Sequence, residues 1–331
     1  MGDAVSVESG GAAIAGRPAG GASTRVCQYV RMLRIASRMV RVSVVATMVA
    51  GTIAPAAPCD ARAAAAPRGT ILRLRIDSAA LHDRHHSVRV YLPASYSTPE
   101  ARAQRYPVVF MLHGWPGGDG NWPGSGRADI TLDSLIATKR IPEVIAVMPD
   151  GNGIGLIGRS EYINSRDGAS RMEDFIALEL PGWVDSTFRT RRRPAMRGIL
   201  GLSDGGYGAY NIAFRHPGTF GAAASHSGYF TLKNDLSVKN VIGQGETAAR
   251  IIADNSPLEY IDKVAPRLAG MTIYFDCGTS DEDLASNRAL DRKLTALGIA
   301  HTYREFPGSH GWGYWKNHLH ESLEAITARM W

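Results

Sequence analysis

Cysteine is scarce in this chain of 331 residues, which holds Cys27, Cys59 and Cys277 and no other. Two of the three fall within the first 66 residues, so a body beginning near residue 67 keeps Cys277 alone and has no internal disulfide. A domain of that length has core enough without one. Long apolar runs are also missing. The most apolar stretch, 42–54, is too short to span a bilayer stably. A large charge of one sign is absent as well. The formal net charge is +6, but seven arginines against Asp3, Glu8 and Asp60 put +4 of it in residues 1–63, leaving +2 for the remainder. That balance argues against nucleic acid or a membrane surface as partner, and the basic run 189–193 reads as a solvated turn. After residue 70 no Pro-, Gly- or Ser-rich tract and no internal repeat interrupts the chain, so a single domain is expected over 67–331.

Residues 1–66 read as a signal peptide and leader. Arg31, Arg34, Arg38 and Arg41 form a positive n-region ahead of the apolar stretch, and Ala61-Arg62-Ala63 follows as a small-residue cleavage motif, with cutting expected after Ala63. Ala54-Pro55-Ala56 is a weaker candidate. The thirty residues before the n-region make Met32 a second candidate start. Pro58 ahead of Cys59 is a poor match to lipoprotein processing. The expected location is secreted or periplasmic, with no stable membrane span in the mature form; the alternative is anchoring by the N-terminal apolar segment.

From residue 70 the pattern is two strands, then strands alternating with helices. Residues 71–76 and 88–92 alternate apolar with polar side chains at period two, predicting half-exposed antiparallel strands at the sheet edge. Residues 108–112 and 144–148 are unbroken apolar runs, predicting central parallel strands covered on both faces. A short run at 198–202 leads into Ser203 and a helical stretch over 205–215 that Pro217 stops. Further strands are expected at 222–225, 272–275 and 302–306, and helices at 282–297 and 312–330. The sum is an α/β fold with a mostly parallel, doubly wound sheet and antiparallel N-terminal strands.

Gly201-Leu202-Ser203-Asp204-Gly205 fits G-x-S-x-G, a motif whose physical demand is a strand that turns sharply into a helix and thrusts the seryl oxygen up at the sheet's carboxyl edge. Strand, turn and helix stand here in that order, and the flanking glycines let the turn close without a Cβ clash. A seryl hydroxyl needs a base, and in this arrangement acid and base come later in the chain, in the order Ser, Asp or Glu, His. Gly308-Ser309-His310-Gly311-Trp312 supplies a histidine in the loop between the last strand and the last helix. The other nine histidines lie on early strands and loops, on helices, or before the last strand. The acid should hang from the loop after 272–275. Asp281 is the choice, with Asp276 its main rival; Glu282 and Asp283 read as first-turn helix residues that suit the helix dipole. Backbone N–H groups of Asp204 and of Trp115, in His113-Gly114-Trp115-Pro116, are the expected oxyanion donors. Pro116 has no N–H and is excluded. Trp122 and Trp312 are candidates for lining a substrate cleft.

Two other patterns compete. Gly153-Ile154-Gly155-Leu156-Ile157-Gly158 matches a dinucleotide fingerprint, but 159–168 lacks the helical period that would aim a helix N-terminus at a pyrophosphate, so a loop over the active site is expected. Asp83, His85 and His86 could be drawn as a metal cluster, yet adjacent histidines on a strand point to opposite faces. A surface loop is expected there, with no metal.

With these residues in hand, the chain resembles the esterase family of α/β-hydrolases that includes esterase D and S-formylglutathione hydrolases, feruloyl and acetyl-xylan type esterases, and the antigen 85 mycolyltransferases. The likeness covers most of 70–330. It is carried by Val90-Tyr91-Leu92-Pro93, by Tyr106-Pro107-Val108-Val109-Phe110-Met111-Leu112-His113-Gly114, by Val147-Met148-Pro149-Asp150-Gly151, by the elbow, and by Gly308-Ser309-His310-Gly311-Trp312. The resemblance implies the α/β-hydrolase fold, Ser203, Asp281 and His310 as a triad, and the Trp115 and Asp204 N–H groups as oxyanion hole, in agreement with the residue-level reading. An export signal departs from the cytosolic formylglutathione branch. The expected function is thus an exported serine carboxylic ester hydrolase that forms an acyl-enzyme, needs no cofactor, and takes a small-molecule or polysaccharide-linked ester. An acyltransferase passing the acyl group to an alcohol or sugar would use the same groups. A non-catalytic binding protein is the weakest alternative, since it would have no chemical need for a triad.

Overall fold

A run in which every side chain is apolar is stable only if both faces of the strand are covered, and the two such runs lie at the middle of the sheet. The computed structural model describes residues 67–153, 158–232 and 238–331. The expected leader and cleavage site, 1–66, lie outside the described residues. Strands β1 (Thr70–Ser78), β2 (Asp83–Leu92), β3 (Val108–Leu112), β4 (Ile145–Pro149), β5 (Arg197–Leu202), β6 (Ala222–His226), β7 (Thr272–Gly278) and β8 (Thr302–Phe306) form one sheet in the order β1-β2-β4-β3-β5-β6-β7-β8. β1 pairs with β2 and β2 with β4 antiparallel, and every other pair is parallel. The principal helices are α1 (Ala128–Ala137), α2 (Leu180–Thr187), α3 (Asp204–Arg215), α4 (Gly245–Asp254), α5 (Pro257–Val264), α6 (Leu284–Ala296) and α7 (Trp312–Thr327).

Alternation along each central strand divides the interior into two layers. Val108, Phe110 and Leu112 of β3 join Ile145 and Val147 of β4 beneath α2, α3, α5 and α6, represented by Val184, Ile212, Ile261 and Leu290. Val109 and Met111 face the opposite way with Ala146, Met148 and Leu200, against Leu132 and Leu135 of α1 and Leu319, Leu323 and Ile326 of α7. Helices therefore cover both faces of the sheet, and all the described residues fall in one compact unit. This is the α/β-hydrolase arrangement. Among the described residues no helix is long and apolar enough to cross a membrane.

Three details correct the expectations. β2 is not an edge strand: it lies between β1 and β4, with Val88 and Val90 in one layer and Tyr91 in the other, so only β1 and β8 are edges. β7 continues three residues past Phe275, which puts Asp276 and Cys277 inside the strand, and α6 starts at Leu284, which leaves 281–283 in the loop. The basic run is no free turn. Arg189 lies 3.8 Å over the Tyr96 ring and donates to the carbonyls of Tyr96 and Gln104, while Arg191 donates to the carbonyl of Met330 at 2.9 Å. Planar guanidinium groups satisfy otherwise orphaned carbonyls there.

Candidate active site

β5 ends at Leu202 and α3 begins at Asp204, so a single residue makes the turn. Ser203 does so at φ 52°, ψ −122°, a backbone state costing about 1–3 kcal/mol for a non-glycine residue. The surrounding backbone holds it there. The Ser203 N–H donates to the His226 carbonyl at 2.9 Å, and its own carbonyl accepts from the Tyr207 N–H at 3.0 Å. A Cβ on Gly201 would lie 2.1 Å from the Gly205 oxygen, and one on Gly205 would lie 2.4 Å from the Leu112 oxygen. Only hydrogen fits at either position.

Facing Ser203 Oγ, at 2.9 Å, is Nε2 of His310 in the loop between β8 and α7. The other ring nitrogen, Nδ1, lies 3.0 and 3.1 Å from the two oxygens of Asp281, in the loop after β7. An ionised carboxylate can only accept, which places the proton on Nδ1 and leaves Nε2 free to accept from the serine. The two loops are tied together. Thr279 and Ser280 donate their N–H groups to the carbonyls of Phe306 and Gly308, and a Cβ on Gly278 would meet the Gly308 oxygen at 2.5 Å. Trp315 steadies the imidazole edge-on at 5.0 Å and donates its indole N–H to Ser227 at 3.0 Å.

Electrostatics follow from these contacts. Burial acts to raise the Asp281 carboxyl, but hydrogen bonds from His310, the Asp283 N–H and Ser227 outweigh it and hold the group below the usual carboxylate value. Burial acts to lower His310, while the Asp281 hydrogen bond and the charges of Asp281, Asp283 and Glu282 prevail and raise it above 6.5. Asp281, Asp283 and His310 also offer three ligand atoms within 4.8 Å of one another. Because Nδ1 of His310 is already committed to Asp281, the hydrogen-bonded row accounts for that geometry without an ion.

The remaining candidates divide. Asp204 opens α3, and the 113–116 turn packs against the elbow closely enough that a Cβ on Gly114 would sit 3.1 Å from Ser203 Cβ. A cleft of about 70 Å³ has Ser203, Gly114, Trp115, His310, Trp312 and Trp315 among its walls. Trp122 is not among them, contrary to expectation. It is 1% exposed, donates its indole N–H to the Leu112 carbonyl at 3.1 Å, and meets Trp312 edge to face at 5.7 Å, so it supports the cleft from within the core. Asp276, the rival acid, points elsewhere: its Oδ1 lies 2.9 Å from Nδ1 of His226 and accepts from the Tyr314 hydroxyl at 2.8 Å, while His226 Nε2 meets Ser322 at 2.8 Å. This second Asp-His-Ser row is wholly buried.

Other expectations resolve similarly. His86 is buried and bonds Asp83 and the Asp150 carbonyl, whereas His85 is exposed; both lie on β2 rather than in a loop. Residues 154–157 of the glycine motif lie outside the described residues. Its ends close on each other, Gly153 N–H to the Gly158 carbonyl at 2.6 Å, and Arg159 bridges back to Asn152 instead of starting a helix. What the sequence reading missed is a buried cluster beside the elbow, Arg159, Glu161, Asp204 and Tyr229. Arg159 and Glu161 apart, its members lie 25 to 70 positions from one another, and no local spacing signals it.

Fold and site together define a class, the carboxylesterase-type α/β-hydrolases with a serine at the strand-to-helix elbow. The chain belongs to the family described as "Putative esterase", whose sequence profile matches residues 78–326. It is 31% identical over 271 residues to an esterase of Mycobacterium tuberculosis, a match covering 73% of this chain and 56% of that protein. With an endo-1,4-beta-xylanase/feruloyl esterase of Xylanibacter ruminicola it shares 29% identity over 64% of this chain and 29% of that one. The chain thus spans about half the length, or less, of these curated relatives. Among solved structures, a ferulic acid esterase superposes with a TM-score of 0.71 at 24% identity, covering 79% of this chain and 99% of that one. An S-formylglutathione hydrolase from Staphylococcus aureus superposes at 0.65 and 20% identity, covering 78% and 99%.

Proposed function

We propose that this chain is an exported serine carboxylic ester hydrolase working through an acyl-enzyme. Ser203 is the nucleophile, His310 takes its proton and later delivers it to the leaving alcohol, and Asp281 holds the imidazole in the required tautomer. The backbone N–H groups of Trp115 and Asp204 receive the charge that develops on the carbonyl oxygen. Water then attacks the acyl-enzyme with His310 again as base. The observation that carries this reading is the unbroken Ser203–His310–Asp281 row opening onto the cleft. Its test is hydrolysis of acetyl, butyryl, feruloyl and long-chain p-nitrophenyl esters without added metal or nucleotide; absence of turnover on the whole set would sink the reading. Added alcohol acceptors in the same assay report any acyl transfer. Residues 67–331 are the single catalytic domain in this proposal, released by cleavage after Ala63, which the mass of the exported protein tests.

The raised His310 pKa sets the pH profile. The imidazolium cannot accept the seryl proton, so kcat/KM should fall as pH drops, with a midpoint above 6.5. Asp283, whose Oδ2 lies 4.0 Å from Nδ1, contributes to that rise. Asp283→Asn should therefore move the acid limb to lower pH. A midpoint that stayed put or moved up would contradict the stated cause.

A further inference from the structure

Beside the elbow lies a charged cluster that the proposed chemistry does not use. Arg159, Glu161 and Asp204 have side chains only 8%, 0% and 6% exposed. The Arg159 guanidinium grips Asp204 with two parallel bonds, Nε to Oδ2 at 2.9 Å and Nη2 to Oδ1 at 2.8 Å. It also lies 2.6 Å from Glu161 Oε1, and Tyr229 donates to Asp204 Oδ1 at 2.8 Å. Burying two carboxylates with one cation is costly unless the geometry is good, and removing the cation would leave like charges facing each other in a dry site. Such a device needs a reason.

The reason lies in what else Arg159 touches. Its guanidinium carbon sits 5.1 Å from the centroid of the Trp115 ring, a cation–π contact. Asp204 and Trp115 are the two residues whose N–H groups are assigned above to the oxyanion, and they belong to separate segments, the start of α3 and the loop after β3. Arg159 joins them. The same short segment also anchors the Trp115 turn: the Tyr162 hydroxyl donates to the His113 carbonyl at 2.7 Å. To do so the chain takes φ 52° at both Glu161 and Tyr162, backbone strain of the kind that collects at functional sites.

We propose that Arg159 is a positioning residue that fixes the separation of the two oxyanion-binding N–H groups by clamping the Asp204 carboxylate and the Trp115 ring with one rigid, planar cation. The inference rests on the hydrolase reading above. It explains why an arginine stands here: a lysine would keep the charge but lose the bidentate grip and the flat stack. Donors that stabilise an oxyanion act only at the right distance. Losing one costs about 10²- to 10³-fold in kcat, and a misplacement of about 1 Å costs on the order of 10²-fold.

The experiment compares Arg159→Gln and Arg159→Lys in the full chain. Active sites are counted by fluorophosphonate titration, kcat and KM are measured per titrated site, and the affinity of a short alkyl boronic acid, which mimics the tetrahedral oxyanion, is measured alongside. The expected result is a fall of about 10- to 100-fold in kcat for the glutamine variant with KM within about threefold. Boronate binding should weaken by a similar factor, and the lysine variant should fall between. A purely structural role would lower the number of titratable sites and the unfolding temperature while leaving kcat per site unchanged. That outcome overturns the proposal, as would a lysine variant with wild-type kcat and boronate affinity should the glutamine variant not fold. Ser203→Ala run in parallel separates the two failures: turnover surviving in that variant sinks the hydrolase reading, whereas its loss beside full-speed Arg159 variants sinks only the clamp.

Discussion

Replacing Ser203 with alanine is expected to lower kcat for short p-nitrophenyl esters by about 10⁴-fold or more, leaving only what binding and oxyanion donors supply without a nucleophile. The size of the effect follows from the route. Without Oγ no acyl-enzyme forms, and His310 at 2.9 Å has no proton to take. The fold should survive, because the backbone restraints on residue 203 use its N–H and carbonyl, not its side chain. Alanine carries the same φ 52° penalty as serine, so the unfolding midpoint should stay near wild type or rise slightly as a polar group leaves a half-closed site. The measurement pairs initial rates with chemical denaturation. Turnover within tenfold of wild type would remove Ser203 from the mechanism, whereas loss of turnover accompanied by unfolding would leave only a structural effect to explain.

The elbow was legible in advance because its requirements are local: an apolar strand, glycines at fixed offsets and a helix, all within about fifteen residues of chain. The same holds for β3 and β4, whose unbroken apolar runs report burial on both faces. Strand order is another matter. Nothing in 83–92 says that β4 will pair beside it, and alternation alone made β2 look like an edge. The two indoles were separable only by packing, since Trp122 turns its N–H inward to Leu112 while Trp312 reaches the cleft. The Arg159 cluster was invisible because its partner Asp204 lies 45 positions away and no local pattern pairs the two. Asp276 and Asp281 stood within five residues of each other, and the choice between them depended on where β7 stops.

That choice yields the second large prediction. Asp281→Asn should lower kcat by about 10⁴-fold, because an amide in place of the carboxylate can donate to Nδ1, favour the wrong imidazole tautomer and offer no charge to the imidazolium that forms as Ser203 attacks. Asp276→Asn should leave kcat per folded molecule within about threefold, since Asp276 is bonded to His226 and Tyr314 and makes no contact with His310. Its cost should fall on stability. Asp276 is fully buried and its Oδ1 takes part in bonds with the Tyr314 phenol and His226, so an amide in its place disturbs buried hydrogen bonds worth about 0.5–1.5 kcal/mol each. The two variants should therefore separate on kcat per folded molecule, one slow and the other quick. The Asp281 side chain is itself fully buried and also accepts from the Asp283 N–H, so the first variant carries a stability cost as well and the comparison is made at equal folded concentration. If instead Asp276→Asn proved the slower enzyme at equal folded concentration, the acid would have to act through His226 and Ser322, and the Ser203–His310–Asp281 row would lose its third member.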